Sequence, residues 1–525
     1  MKKNIKVYSP EKGGYVDKEI NYIPVRYIIA ILCTILEIAG IIGVMCLLVI
    51  YVPYFYILIF ITEVVSIVTI VVSSGNPDYK VVWLFFVVML PLVGLMLFLI
   101  FHKRKLPKKA IKRLHRCRDS YDYDDGGNLN SLAEEDKLVS SQAVSLCKMS
   151  NSHLYKNTKL EYYSLGEKFW EAMLTDLKKA QKFILLEYFI IEEGEFWNSI
   201  LEILKEKASQ GVEVKLVYDD IGCMGTLPGN YYKQLKKQYN IDTALFSRLR
   251  AAADGEFNNR SHRKILVIDG EVGFTGGVNI ADEYINKNDR LGHWKDTAIR
   301  LEGEAVNELT KLFLTDFYIN KRIKKDEISF EKYFLAKEKE EINNFVIPFG
   351  DGPKPIYDYD VGKFAIINLL NQAKDYVYIT TPYLVVDNEM MSAIGNAAIR
   401  GVDIRIIVPH IPDKRFVFNI TKCNYRELIR AGVKVYEYTP GFIHAKSYIA
   451  DDKCGIIGTI NLDYRSLTHH FENAVWLYDR EIIGEMKRDY IETTKKSQYM
   501  NDSVPKDKFF VRLFNVIVKL FAPLL

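Results

Sequence analysis

Ser261–Asn279 reads SHRKILVIDGEVGFTGGVN, and Ile443–Asn461 reads IHAKSYIADDKCGIIGTIN. Both carry His-x-Lys-x4-Asp followed by Gly-(Gly or Thr)-x-Asn. The first set is His262, Lys264, Asp269, Gly276, Gly277 and Asn279; the second is His444, Lys446, Asp451, Gly458, Thr459 and Asn461. Recurrence of one composite pattern in each half marks an internal duplication. Each copy alternates like a strand, with His262, Lys264 and Leu266 on one face and Arg263, Ile265 and Val267 on the other. Histidine and lysine therefore project together from a rigid element, and the glycines let backbone approach a ligand.

These residue types suit a phosphodiester. Lysine ammonium and asparagine amide groups donate to phosphate oxygens, and histidine serves as nucleophile or general acid and base near neutral pH. Two sets suggest one composite site, in which one imidazole attacks phosphorus and the other protonates the leaving alcohol. Lys264, Lys446, Asn279 and Asn461 would bind the phosphate and stabilise its developing charge, so no metal or cofactor is needed. Neither H-E-x-x-H nor paired C-x-x-C occurs, and the acidic run Asp119–Asp125 lacks calcium-loop spacing. Asp269 and Asp451 belong to the motif and so to the candidate catalytic set. Each follows its strand and precedes a turn, which favours a buttressing role.

At these residues the chain resembles the phospholipase D superfamily and, within it, the membrane-anchored bacterial cardiolipin synthases. The likeness extends from about Pro53 to Leu525, through ILLEYFI at Ile184, GVEVKLVYDDIGC at Gly211, TPYLVVD at Thr381, GVDIRIIVPHIPD at Gly401 and AGVKVYEYTPGFIHAK at Ala431. NPDYKVVWLFFVVMLPLVGLMLFLIF at Asn76 resembles the second membrane span of those enzymes. The resemblance implies two α/β lobes about a pseudo-two-fold axis with the site between them. It implies His262 as nucleophile, His444 as general acid and base, and Glu472 and Asp296 as the acids that orient the imidazoles. Ser261 and Thr459 stand where Asn and Ser are expected. The implied reaction joins two phosphatidylglycerol molecules into cardiolipin with release of glycerol. Hydrolysis, transfer to another alcohol, a nuclease, and a catalytically silent membrane scaffold are the alternatives.

The 525 residues leave room for two to four domains, and the net charge of +4 is too small to argue for bulk nucleic-acid binding. Apolar residues concentrate in three runs, Tyr27–Tyr51, Tyr54–Val72 and Val81–Phe101, each long enough for a membrane span. Glu37 and Glu63 fall inside the first two and are costly there. Nine Lys or Arg and no acid lie between Lys103 and Arg118, which places the catalytic region on the cytoplasmic side of a cell membrane and offers a surface for anionic lipid. Seven scattered cysteines suit reduced thiols rather than a disulfide framework.

The expected organisation is a tail over 1–26, two to three transmembrane helices over 27–101, and a basic flank and linker over 102–150. A first lobe follows over 151–330, a second over 340–500, and an apolar C-terminal helix over 501–525 that packs on the lobes or touches lipid. KFILLEYFI, GVEVKLVYDD and the first motif recur as YVYITTPYL, GVDIRIIVPH and the second motif, roughly 182–194 residues on. This strand and helix alternation indicates α/β repeats.

Overall fold

The computed structural model describes residues 2–9, 14–21, 25–51, 55–73, 76–101, 111–112, 127–247, 259–324, 328–335, 342–501 and 518–524. The acidic run, nearly all of the basic run and most of the C-terminal apolar stretch lie outside them.

Each motif forms the centre of a sheet. Lys264–Ile268 and Val272–Gly276 pair antiparallel across the turn at Asp269–Gly270. On one side the strand Phe183–Tyr188 continues into the parallel strands Glu213–Asp219 and Asp242–Phe246. On the other lie Ala298–Glu302 and Lys159–Tyr163, which completes seven strands. The second sheet repeats this order about Ser447–Ala450 and Cys454–Gly458. Tyr376–Thr380, Asp403–Pro409 and Lys434–Tyr438 lie parallel on one side, Glu472–Tyr478 and Phe345–Asp351 antiparallel on the other. The short strands Ser497–Tyr499 and Tyr155–Lys156 bring it to nine.

The alternation read in the motif sorts the cores. Leu266 and Ile268 face a cluster within the first lobe, while Ile265 and Val267 join one shared with Ile449, Ile457, Val475 and Leu477 of the second. Helix Val306–Lys321, buried along most of its length, fills that shared layer. The two sheets therefore share one core, which fixes the two motifs relative to each other.

Two expectations change. The helices Asn128–Glu135 and Lys137–Ser150 are not a linker: Leu132, Val139, Ala143 and Leu146 are buried in the second lobe's core. Tyr155–Lys156, placed in the first lobe by sequence, pairs with Phe345–Val346 at the second sheet's edge.

The third apolar run is also not one span. It forms two helices, Pro77–Met89 and Pro91–Phe101, folded back on each other. The ring centroids of Trp83 and Phe98 lie 5.8 Å apart, where fifteen residues of straight helix would separate them by about 22 Å. Pro91 cannot continue the hydrogen-bond ladder. Gly94 lies so close to Phe86 that an added Cβ would fall 2.4 Å from its carbonyl oxygen. The first two runs form helices Val25–Tyr51 and Phe55–Val72. Among the described residues, no helix is both long and apolar enough to cross a membrane.

The N-terminal tail contains a β-hairpin, Lys2–Ser9 with Gly14–Asn21, which the sequence reading did not anticipate. At the other end, Val518 and Ala522 pack with Val385, Ile420 and Tyr464 of the second lobe, and Phe521 meets Phe85 and Phe86. The described part of the C-terminal stretch thus packs against protein.

Candidate active site

The two motifs meet through reciprocal backbone pairing. Ser261 bridges Phe471, and His262 N–H donates to the Phe471 carbonyl at 2.8 Å. Lys295 bridges Ile443, and His444 N–H donates to the Lys295 carbonyl at 2.7 Å. Each histidine is delivered to the site beside a segment that precedes a strand of the opposite lobe, the relation expected of two copies about a two-fold axis.

The orienting acids are exchanged in the same way. Glu472, of the second lobe, lies 2.9 and 3.0 Å from His262 Nδ1. Asp296, of the first lobe, lies 2.7 Å from His444 Nδ1. With Nδ1–H donated to a carboxylate, the Nε2 lone pair of each ring is left for chemistry. The sequence identified both acids but carried no sign that each serves the other repeat's histidine.

Glu472 is fully buried and heavily supported. Ser466 Oγ donates to Oε1 at 2.6 Å, and the Thr459 hydroxyl donates to Oε2. Burial pushes this carboxyl up, but His262 and then His470 outweigh that and hold it below the usual range. Ser466 was missed by sequence; its only signal is its place in the segment leading to Glu472. Thr459 stands in the motif where Ser is expected, and its hydroxyl, with that of Ser466, steadies the acid. In the first repeat its place is taken by Gly277, where a Cβ would lie 2.0 Å from Asp296 Oδ1. That glycine is required by the acid's position.

Burial, before any charge effect, lowers the His262 pKa to about 3 and that of His444 to about 4. Both imidazoles are therefore neutral at pH 7, the state a nucleophile needs. Burial, aided by the Lys446 charge, brings Lys264 down to about 7. Lys446 falls to about 8, again through burial. Two buried lysines whose charges repel, with little water to screen them, can donate to the oxygens of an anion. Lys264 Nζ donates to the His262 carbonyl at 2.8 Å, and Lys446 Nζ donates to that of His444.

Asn279 gives its amide nitrogen to Tyr284 Oη at 2.7 Å and accepts from Ile190 N–H at 3.3 Å. Asn461 keeps Oδ1 buried and without a hydrogen-bond partner. Asp269 and Asp451 are not brought to the site. Asp269 accepts the backbone N–H groups of Gln181, Lys182 and Phe183 at 2.7–2.8 Å. Asp451 does the same for Lys374, Asp375 and Tyr376 at 2.7–2.9 Å. Both sit at the far end of the motif strand and lock it to its neighbour, which corrects their inclusion among catalytic residues.

Beneath His262, Ser261 Oγ donates to the buried Glu187 at 2.6 Å, so the serine retains a polar link. Arg263, on the opposite face of the strand, pairs with Asp316 at 2.8 Å in the shared core. Aromatic rings collar the histidines: Phe189 at 5.2 Å from His262, and Tyr284, Trp294 and Phe442 at 5.3–6.0 Å from His444. His470 stands 5.6 Å from His262. His262, His470 and Glu472 offer ligand atoms within 4.8 Å of one another.

A profile of the family described as "cardiolipin synthase, PLD-like domain" matches residues 173–316 and 366–493. A Streptococcus mutans protein described as uncharacterized is 43% identical over 468 residues, covering 88% of this chain and 99% of its own. A Staphylococcus aureus cardiolipin synthase is 32% identical over 459 residues, covering 84% and 90%. Among solved structures, the phosphatidylserine synthase of Haemophilus influenzae superposes with a TM-score of 0.56 at 15% identity, covering 73% of this chain and all of that one. That last likeness is one of fold.

Proposed function

The chain belongs to the cardiolipin synthase family with phospholipase D-like domains and is a phosphatidyltransferase; on that premise we propose that it makes cardiolipin from two phosphatidylglycerol molecules at a membrane, through a phosphohistidine. The observation that carries the mechanism is the crossed pair of histidine–acid contacts, which gives two neutral imidazoles, each aligned by a buried carboxylate, beside two lysines.

In the first step His262 Nε2 attacks phosphorus of the donor lipid, and the bond to the glycerol oxygen breaks. Glycerol leaves with a proton from His444 Nε2; that proton is taken up when the anionic lipid binds, which with Asp296 stabilises the imidazolium, and His444 regains it from the acceptor hydroxyl in the second step. Glu472 stabilises the positive phosphoimidazole ring. In the second step the terminal hydroxyl of another phosphatidylglycerol loses its proton to His444 and attacks phosphorus, and the His262–phosphorus bond breaks. Lys264 and Lys446 stabilise the charge on the non-bridging oxygens throughout. His262 is favoured as nucleophile because its acid has two further hydroxyl donors, which keep it ionised while positive charge develops on the ring. The aromatic collar disfavours water and suits an alcohol carried on a lipid.

The helices Val25–Tyr51 and Phe55–Val72 would anchor the enzyme in the cell membrane, with the lobes on the cytoplasmic side. The test is product analysis with acyl-labelled phosphatidylglycerol in mixed micelles. Cardiolipin and glycerol in equal amounts, lost in His262→Ala and His444→Ala, are expected. Phosphatidic acid as the main product would replace this reading with hydrolysis.

A further inference from the structure

We propose that Pro77–Phe101 is a re-entrant hairpin that enters the leaflet beside the catalytic lobes and leaves by the same face, so that the N-terminal tail, the basic run and both lobes share one side of the membrane. This rests on the membrane reading above and deepens it.

The base of the hairpin is fastened to the second lobe. Asn76 Nδ2 donates to Asp387 at 3.0 Å, Tyr464 Oη donates to Asp78 at 2.8 Å, and Tyr79 Oη lies 2.5 Å from His469 Nε2. The start of the first helix therefore lies against the lobes. Its partner returns to the same level, because Phe98 packs on Trp83 and, with Val87 and Ile70, forms one buried cluster. A single crossing would put these ends on opposite faces.

The dimensions fit half a bilayer. Helix Pro77–Met89 is about 20 Å long, too short to cross a hydrocarbon core of ~30 Å, and its charge-free part from Val81 onward is about 14 Å, near half of that core. No charged residue occurs from Val81 to Phe101. The tip is apolar and turned outward, with Met89 61% and Leu90 52% exposed. A turn inside lipid must satisfy its own backbone, and this one does so in part by sequence. Leu90 N–H donates to Phe86 O at 2.9 Å, Pro91 has no N–H, and Gly94 N–H donates to Leu90 O at 2.6 Å. Those exposed apolar side chains and the charge-free sequence fit acyl chains.

Sidedness follows. Helix Phe55–Val72 ends beside the hairpin base, where Lys80 Nζ donates to Val71 O at 2.9 Å. The strand Lys2–Ser9 lies against helix Glu195–Ser209 of the first lobe. If Val25–Tyr51 and Phe55–Val72 cross as proposed above, the sequence between them, residues 52–54, carries no charge. Lys12, Lys18, Arg26 and Lys80 join the nine basic residues of Lys103–Arg118 on the lobe side, a stronger charge asymmetry than three crossings would give. The segment Tyr464–His469 that holds the hairpin also supplies Ser466 to Glu472, so the leaflet anchor and the catalytic acid share one support.

The test uses the full chain with its seven cysteines replaced and single cysteines restored at four places: Ser73→Cys, Leu90→Cys, Lys112→Cys and, as a marker of the lobe side, Ile399→Cys. Each is labelled with a membrane-impermeant maleimide in sealed vesicles of both orientations. Ser73→Cys, Lys112→Cys and Ile399→Cys are expected to label from one common face, and Leu90→Cys from neither. A bimane on Leu90→Cys is expected to be quenched by lipids nitroxide-labelled along the acyl chain. Labelling of Ser73→Cys and Lys112→Cys from opposite faces, or of Leu90→Cys from water, would overturn the hairpin. Product analysis on the same variants separates this from the reaction: a different lipid product would refute cardiolipin synthesis while leaving the labelling pattern intact.

Discussion

Replacing Glu472 with Gln removes a buried charge from His262 Nδ1 at 2.9 Å while keeping the side chain's shape. The charge matters when the imidazole becomes positive. At a charge separation of ~4 Å and an effective dielectric of ~20, the attraction is about 4 kcal/mol. Glutamine retains a hydrogen bond, so the net loss is about 2–4 kcal/mol, or roughly 30- to 1,000-fold in formation of the covalent intermediate. Asp296→Asn perturbs the other histidine by a similar amount, but its effect depends on the leaving group. A phosphatidyl p-nitrophenyl ester expels an anion that needs no proton. With it, Asp296→Asn and His444→Ala should keep a burst of p-nitrophenol near the wild-type rate and accumulate the phosphohistidine, because its breakdown still needs a base. Glu472→Gln should lose the burst by the factor above. Rapid mixing followed by an alkaline quench and peptide mapping reads both. An equal loss of burst in Asp296→Asn and Glu472→Gln would refute the division of roles, and accumulation in Glu472→Gln alone would reverse it.

Gly277→Ala places a methyl group 2.0 Å from Asp296 Oδ1; transfer should fall by at least about tenfold while thermal melting shifts little, and unchanged kcat would show that the acid can move aside. Binding of a dialkyl phosphate at pH 8 should take up protons, because the anion raises Lys264 from about 7 and Lys446 from about 8. Affinity then weakens as pH rises from 7 to 9, as calorimetry in buffers of different ionisation enthalpy would show. Arg263→Ala leaves Asp316 buried and unpaired, which should cost about 3–5 kcal/mol of stability in denaturant titration. Thr459→Val removes one donor from Glu472 and should slow the p-nitrophenol burst by about 5- to 30-fold.

The site was legible because its chemistry is duplicated in the chain: His262, Lys264, His444 and Lys446 stand in two copies of one spacing, and the alternation of each copy gives its strand. Asp269 and Asp451 show the limit of a motif, since recurrence is equally required of residues that lock a strand in register. Which histidine Glu472 serves was not legible, because reciprocal exchange between lobes is a property of the assembled sheets. Tyr155–Lys156 escaped because two residues at a sheet edge leave no periodic signal. The third apolar run was misread because hydropathy measures length and not direction. Pro91 and Gly94, midway along it, were the available signs of a turn and of close helix approach.

Stereochemistry at phosphorus tests the central claim most directly. Phosphatidylglycerol bearing a single non-bridging sulfur of known configuration would be converted by the wild-type enzyme, and the configuration of the thio-cardiolipin determined. Two in-line displacements, onto His262 and off it, predict overall retention. Inversion would mean that the acceptor attacks the donor lipid directly, and would contradict the phosphohistidine account.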